Sequence, residues 1–375
     1  MAIPSWFARH MRILLVATDV QVPGNHGGST HVSELFAGLS KRADTLLLAR
    51  HDSEGARVVP LGKPLRHHKK VLRQLDSAAL FPRAWREVRS FRPDVIYERC
   101  SSYGLGALLS VAFDAPLLTM VLDERFSWLS LLRADKLVAS RLDMIPRAVR
   151  AKGELVHWGA NVERFAADLD YEAARAAAGF SAGDFVIGYS GSFKRWHGLS
   201  ALVEVADRWR DPKVRFLMVG DGPCRPEIEA ALGERGLVDR FVFTGSLPYE
   251  QVPGRLVAAD VCVAPFDPTE HTPSRERGSF VLDPLKVFEY LAQQKPAVTI
   301  RADNLLNIFR DGEHLRLYAP GDVDELLRCL RWVYDHGDEA AQMARRGREL
   351  VLAKYTWQAH ADHLYRLFES MLAGG

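Results

Sequence analysis

The chain has 375 residues, 47% of them hydrophobic and 26% charged, which is ample for a buried core and more than one ordinary domain uses, so two domains are expected. Its formal charge of +2 divides unevenly: residues 1–165 carry 24 Lys+Arg against 16 Asp+Glu and the rest 25 against 31, a half of +8 followed by a half of −6. Cys100, Cys224, Cys262 and Cys329 lie far apart without a C-x-x-C spacing, which argues against a zinc ribbon or a disulfide framework and fits a reducing cytoplasm.

No apolar run reaches the roughly 18 residues of a membrane-spanning helix. The start MAIPSWFARHM lacks the apolar stretch and cleavage site of a signal peptide, so a cytoplasmic chain is expected, soluble or peripheral at the inner membrane face. Short Val/Ile/Leu-rich runs then recur between longer helical patterns: RILLVATD, DTLLLAR, RPDVIYER, APLLTMVLD, DKLVAS and ELVHWGA. Such alternation predicts a parallel sheet covered on both faces. A second series, DFVIGYSG, VRFLMVGDG, RFVFTGS, ADVCVAPF and PAVTIRA, predicts a second doubly wound sheet. An Ala-rich helical segment separates the series, and a linker is expected around residues 163–183. The amphipathic pattern YTWQAHADHLYRLFESML predicts a long terminal helix on a domain surface. Two such domains leave a cleft between the carboxyl ends of their strands, where open parallel sheets place ligands.

Four strand-to-helix loops carry candidate chemistry. In TDVQVPGNHGGSTHVSELFAGLSKR, Gly27 and Gly28 allow backbone amides to approach an anion at a helix start signalled by Ser29, Thr30 and Ser33. In GYSGSFKRWHG, Lys194, Arg195 and His197 stand beside glycines and can neutralise a phosphate. VGDGPCRPEIEAAL reads as turn chemistry, with Pro223 or Pro226 starting a helix. In DPLKVFEYLAQQKP, Asp283 is the expected N-cap and Pro284 the first helical residue. A cation in a first turn opposes the helix dipole unless an anion is near, so Lys286 points to a bound phosphate. Glu289 is placed to accept hydrogen bonds from sugar hydroxyls. The competing reading of Lys286 and Glu289 is a surface ion pair worth about 0.2–0.5 kcal/mol.

In their order, GGSTHVSELFAGLSKR, RPDVIYER, DKLVAS, HWGANVERF, GSFKRWHG, LMVGDGP, FTGSLPYEQVPGRLVAADVCVAPF and DPLKVFEYLA resemble the retaining glycosyltransferases of the GT-B fold. The resemblance implies two Rossmann-like domains facing across a cleft, an acceptor domain over 1–165 and a nucleotide-sugar domain over 175–354, with the helix 355–375 packed back on the first. It also implies transfer of a hexosyl unit from a nucleotide diphosphate sugar to a hydroxyl acceptor on a glycan, lipid-linked or small molecule, without a metal or other cofactor. On that reading Glu289 holds the ribose, Lys286 lies near the diphosphate with Leu285 beside it, and Gly27 and Gly28 close over the phosphates. Ser246 and Leu247 contact the base. Lys286, Lys194 and His197 are the expected catalytic set, with His31, Asp123 and Glu124 on the acceptor side.

Two phosphate-facing cations common in the family are replaced here by Ser192 and His197, and a common glutamate by Val281. Arg275 and Arg277 in FDPTEHTPSRERGSF are the candidates to compensate. Asp322-Val323-Asp324 reads as a helix cap, not a metal site, and His360 and His363 as surface or packing residues. The basic stretch KPLRHHKKVLRQL is expected to touch an anionic membrane or acceptor. Two rival activities fit the same scaffold: a catalytically weak nucleotide-sugar-binding partner subunit, and a nucleotide-sugar epimerase. A nucleic-acid partner is not expected, since no recognition motif or aromatic platform is present.

Overall fold

The computed structural model describes residues 10–24, 26–61, 70–99, 104–122, 126–280 and 283–374. The chain forms two compact units, Met1–Trp158 with Trp357–Gly375, and Gly159–Thr356. Among the described residues no helix is long and apolar enough to cross a membrane. Asp123, Glu124 and Val281, and most of the basic stretch 63–75, lie outside the described residues.

The strands of unit 1 are β1 (Arg12–Ala17), β2 (Asp44–Ala49), β3 (Val58–Pro60), β4 (Val95–Glu98), β5 (Leu117–Met120), β6 (Lys136–Ala139) and β7 (Gly153–Leu155). They form one parallel sheet in the order β3-β2-β1-β4-β5-β6-β7. Their apolar runs are nearly continuous because helices cover both faces. On one face Ile13, Leu15 and Tyr97 pack under the helix Gly27–Ser40, through its Val32, Leu35 and Leu39. The terminal helix Trp357–Ala373 completes that layer with Ala361, Leu364 and Phe368. A Cβ on Gly38 would stand 2.7 Å from the Ala361 Cβ, so glycine there sets how closely the two helices approach.

Unit 2 contains β8 (Phe185–Ser190), β9 (Val214–Val219), β10 (Phe241–Gly245), β11 (Val261–Ala264), β12 (Ala297–Ile300) and β13 (Arg316–Tyr318). The parallel order is β10-β9-β8-β11-β12-β13. The winding therefore reverses at β8, whose neighbours β9 and β11 lead their connections to opposite sides. Strands β3 and β13, each three residues long at a sheet edge, fall outside the apolar runs read from the sequence.

The segment 163–183 is part of unit 2 and not a loose linker. Its helix Tyr171–Ala178 is capped by Asp170, which accepts a 2.9 Å hydrogen bond from the Ala173 amide, and is closed by Gly179 in the left-handed region. Arg175, hidden in the Ala-rich run, is buried and ion-paired to Asp260 at 3.0 Å. It also donates to the Ser181 and Asp184 carbonyls at 2.7 and 2.8 Å. Asp260 in turn accepts from the Val186 amide at 2.7 Å, so this pair ties the helix to the start of β8. Asp322 caps the helix Val323–Asp335 by accepting from the Glu325 amide at 2.8 Å.

Candidate functional site

The carboxyl end of β8 is the switch point of unit 2, the place where an open parallel sheet offers backbone to a ligand. There the loop after β8 joins the loop after β9: Gly191 donates to the Val219 carbonyl and Phe193 to the Asp221 carbonyl, both at 2.9 Å. The Cys224 amide closes the seam on the Phe193 carbonyl, also at 2.9 Å. A Cβ on Gly220 would collide with the Gly191 carbonyl oxygen, and Gly191 itself sits at φ +136, so only glycines allow these backbones to meet.

The helix Leu285–Ala292 is pinned over that strand end. Tyr290 accepts from the Ser190 amide at 3.0 Å and donates to the Val263 carbonyl at 3.3 Å, while Phe288 packs on Phe309 and Tyr355. The helix begins one residue later than expected. Pro284, at φ −81 and ψ 100, is extended and takes the cap position, so Asp283 lies buried ahead of the helix and does not cap it.

Lys286 is 9% exposed and Glu289 6%, which removes the surface ion-pair reading. The Lys286 ammonium donates to the Tyr189 hydroxyl at 2.9 Å, lies 4.2 Å from the centre of that ring and 5.1 Å from that of Phe266. A Cβ on Gly191 would stand 2.7 Å from it, so the glycine leaves the ammonium open to the loop. Among the described residues no carboxylate lies within ion-pair distance of it. Burial pushes its pKa down to about 7, against the upward pull of the Glu289 charge.

Glu289 accepts a 2.7 Å hydrogen bond from Tyr249, which stands in the turn after β10 beside Ser246 and Leu247. Arg164 lies over the Tyr249 ring at 4.9 Å. Ser246 is exposed and Leu247 packs partly against the core, so that turn offers backbone at its surface.

His197 is buried against Tyr189, with Nδ1 2.7 Å from the hydroxyl and in contact with the Ser192 carbonyl oxygen. Burial, aided by the Lys286 charge, lowers its pKa to about 2, so it is a neutral imidazole and cannot replace a cation. Lys194 is exposed, and Arg195 is exposed and paired with Glu227 at 2.7 Å. The polar segment 266–280 contains a short helix, Thr272–Arg277, on which Arg275 is exposed. The structure therefore brings together Lys286, Ser192, His197 and Glu289, and leaves Lys194 and Arg195 facing solvent. Tyr189, Tyr249 and Phe266 were not read from the sequence, where an aromatic in a buried strand or turn carries no mark of a polar role.

In unit 1 the helix that carries Gly27 and Gly28 begins at Gly27, capped by His26, whose ring accepts from the Ser29 amide at 3.2 Å; the start signalled by Ser29, Thr30 and Ser33 is thus capped by a histidine three residues before Ser29. Arg99, at the end of β4, pairs with Asp19 at 2.6 Å and reaches to within 3.0 Å of where a Gly28 Cβ would be. His31 does not face an acceptor surface. It is fully buried, stacked on Trp158 at 4.8 Å and Trp357 at 5.6 Å, with Nε2 3.3 Å from Nε2 of His360. His360 is likewise a packing residue, and its Nδ1 donates to the His157 carbonyl 2.9 Å away.

Two parallel doubly wound sheets, one with a lysine and a glutamate one turn apart at its switch point, define a GT-B scaffold. Residues 184–336, which lie within the second unit, match the family model for glycosyl transferases group 1. The chain is similar to a 2-deoxystreptamine glucosyltransferase of Streptomyces kanamyceticus, 34% identical over 174 residues, covering 45% of this chain and 41% of that protein. It is similar over more of its length to a sulfoquinovosyl transferase of Arabidopsis thaliana, 26% identical over 337 residues, 81% of this chain and 62% of that one. The alignments thus span less than half the length of the first curated relatives. Among solved structures, sucrose-phosphate synthase of Thermosynechococcus elongatus matches with TM-score 0.80 at 19% identity, over 97% of this chain and 100% of that one. The Anabaena protein Alr3699/HepE in complex with UDP-glucose matches with TM-score 0.74 at 18% identity, over 96% and 100%.

Proposed function

We propose that the chain is a retaining glycosyltransferase that moves a hexosyl unit from a nucleoside diphosphate sugar to a hydroxyl acceptor. The observation that carries this reading is Lys286: a buried ammonium with no carboxylate partner among the described residues, at the strand end where the sheet reverses. Such a charge is costly unless an anion joins it. A diphosphate at the Gly191 loop supplies that anion. Negative charge grows on it as the glycosidic bond breaks, so a cation already aimed there stabilises the transition state more than the bound substrate. Glu289, one turn further and oriented by Tyr249, suits the vicinal hydroxyls of a ribose. The glucosyl, sulfoquinovosyl and UDP-glucose names of the similar proteins support a nucleotide-sugar donor.

A thermal-shift panel of nucleoside diphosphates and their sugars tests the donor. The expected outcome is a rise in unfolding temperature with one base, larger for the sugar nucleotide than for the free nucleoside. Transfer is then followed as nucleotide release that depends on an added hydroxyl acceptor. A chain that no nucleotide stabilises, or one that releases nucleotide at the same rate without an acceptor, refutes the assignment.

A further inference from the structure

We propose that Tyr189 is the positioning residue for Lys286, held by His197 and the Ser192 carbonyl so that its oxygen supports the charged form of the amine. This inference rests on the donor-site reading above and deepens it.

A lysine ammonium has three N–H donors on a flexible stem. Here the protein gives it one acceptor, the Tyr189 oxygen at 2.9 Å. That oxygen is not loose. Its hydrogen lies toward the Ser192 carbonyl at 2.9 Å, and His197 Nδ1 stands 2.7 Å away, with both rings buried. A phenol that donates to Ser192 turns a lone pair toward Lys286, and the imidazole blocks the other direction. The position before the Gly191 turn thus fixes the amine and the loop backbone in one cluster.

The charged and titratable groups around the amine are Tyr189 on β8, His197 and Lys194 on the following loop, His271 across the Trp196 and Phe266 rings, and Glu289 on its own helix. Burial keeps Tyr189 a neutral phenol and His197 a neutral imidazole through the neutral range. An N–H to O bond that is stronger from the ammonium than from the neutral amine favours the charged form. Without the Tyr189 oxygen the amine loses its proton at lower pH, and with it the ability to meet a phosphate.

The test is a pH titration of lysine Cε resonances in the full chain, with the Lys286 signal assigned by its loss in Lys286→Met. The wild-type midpoint is expected near 7. Tyr189→Phe is expected to lower it by about one pH unit or more, the size of a charge-assisted hydrogen bond. His197→Leu lowers it in part, and His197→Asn, which keeps a side-chain N–H for Ser192, restores it. Calorimetry with UDP adds a second readout: for a one-unit shift Tyr189→Phe binds about twofold more weakly than wild type at pH 6 and about tenfold more weakly at pH 8. A folded Tyr189→Phe chain with an unchanged midpoint overturns the proposal. If that variant does not fold, an unchanged midpoint in His197→Leu does so. A Tyr189-dependent midpoint in a chain that binds none of the nucleoside diphosphates upholds the positioning and refutes the nucleotide reading, so the two failures are distinct.

Discussion

Replacing Lys286 by methionine is expected to stabilise the protein and, on the proposed donor reading, to weaken UDP binding. Burial moves the amine from 10.5 to about 7, some 3.5 units. At about 1.4 kcal/mol per unit, the charged form is disfavoured in the fold by at most roughly 5 kcal/mol. Methionine is unbranched and apolar and fills the same channel between Tyr189 and Phe266, but it gives up the hydrogen bond and the contact with the ring faces. A net gain of about 1–4 kcal/mol is therefore expected at pH 6, as when buried ions elsewhere give way to apolar residues. The sign of its pH dependence follows from linkage. The folded pKa lies below the unfolded one, so between about 7 and 10.5 the unfolded chain binds more protons, and wild-type stability attributable to Lys286 rises with pH across that window. The advantage of Lys286→Met should accordingly be largest at or below pH 7 and fade toward pH 10. Scanning calorimetry at pH 6, 8 and 10 reads it as a rise of roughly 4–8 °C per 2 kcal/mol at pH 6, in the transition that includes unit 2. UDP affinity measured on the same samples should fall by about 10–150-fold, the value of a charge-assisted hydrogen bond. A variant that is less stable than wild type at pH 6, or that keeps its UDP affinity, would refute the claim that this ammonium is held unpaired for a ligand.

Glu289→Ala should weaken UDP by about 10–150-fold, the value of charge-assisted hydrogen bonds to hydroxyls, and leave inorganic pyrophosphate binding unchanged, whereas Lys286→Met weakens both; competition calorimetry separates the two. In unit 1, burial holds His31 well below its ordinary value and His360 down to about 4. Both therefore contribute stability that is present above about 6.5 and lost as pH falls, because the unfolded chain takes up protons that the fold refuses. Glu98, pushed up to about 7 by burial, acts in the opposite sense over 4.5 to 7, so the difference between variants is the clean measure. His360→Leu should flatten the fall of unfolding temperature between pH 6.5 and 4.5 by one proton's worth, about 1.4 kcal/mol per pH unit; an unchanged slope would mean that His360 is already protonated in the fold.

Sequence alone determined the two doubly wound sheets, since uninterrupted Val/Ile/Leu runs alternating with helical patterns have one economical burial, between two helical layers. It also determined that a lysine and a glutamate open one helix late in the chain, because first-turn charge has a direct meaning at a helix start. The tertiary structure decided everything that depended on which surfaces face each other. The helix of Lys286 and Glu289 is held at the end of β8 because Tyr290 pins it to Ser190 and Val263, residues 100 and 27 positions away in the chain. Arg195 reads as a phosphate ligand in a basic loop, yet Glu227 on the helix after β9 pairs with it. His197 reads as a cation and is a neutral hydrogen-bonding group, because the field that sets its protonation comes from burial and from Lys286, 89 positions later in sequence. His31 sits in a loop-to-helix stretch that suggested ligand contact and is instead stacked between two tryptophans, one of them on the terminal helix. Local pattern records propensity and periodicity, which act within a few residues. Burial, ion-pair choice and protonation are set by neighbours brought in from elsewhere in the chain, and only the folded packing says which neighbours those are.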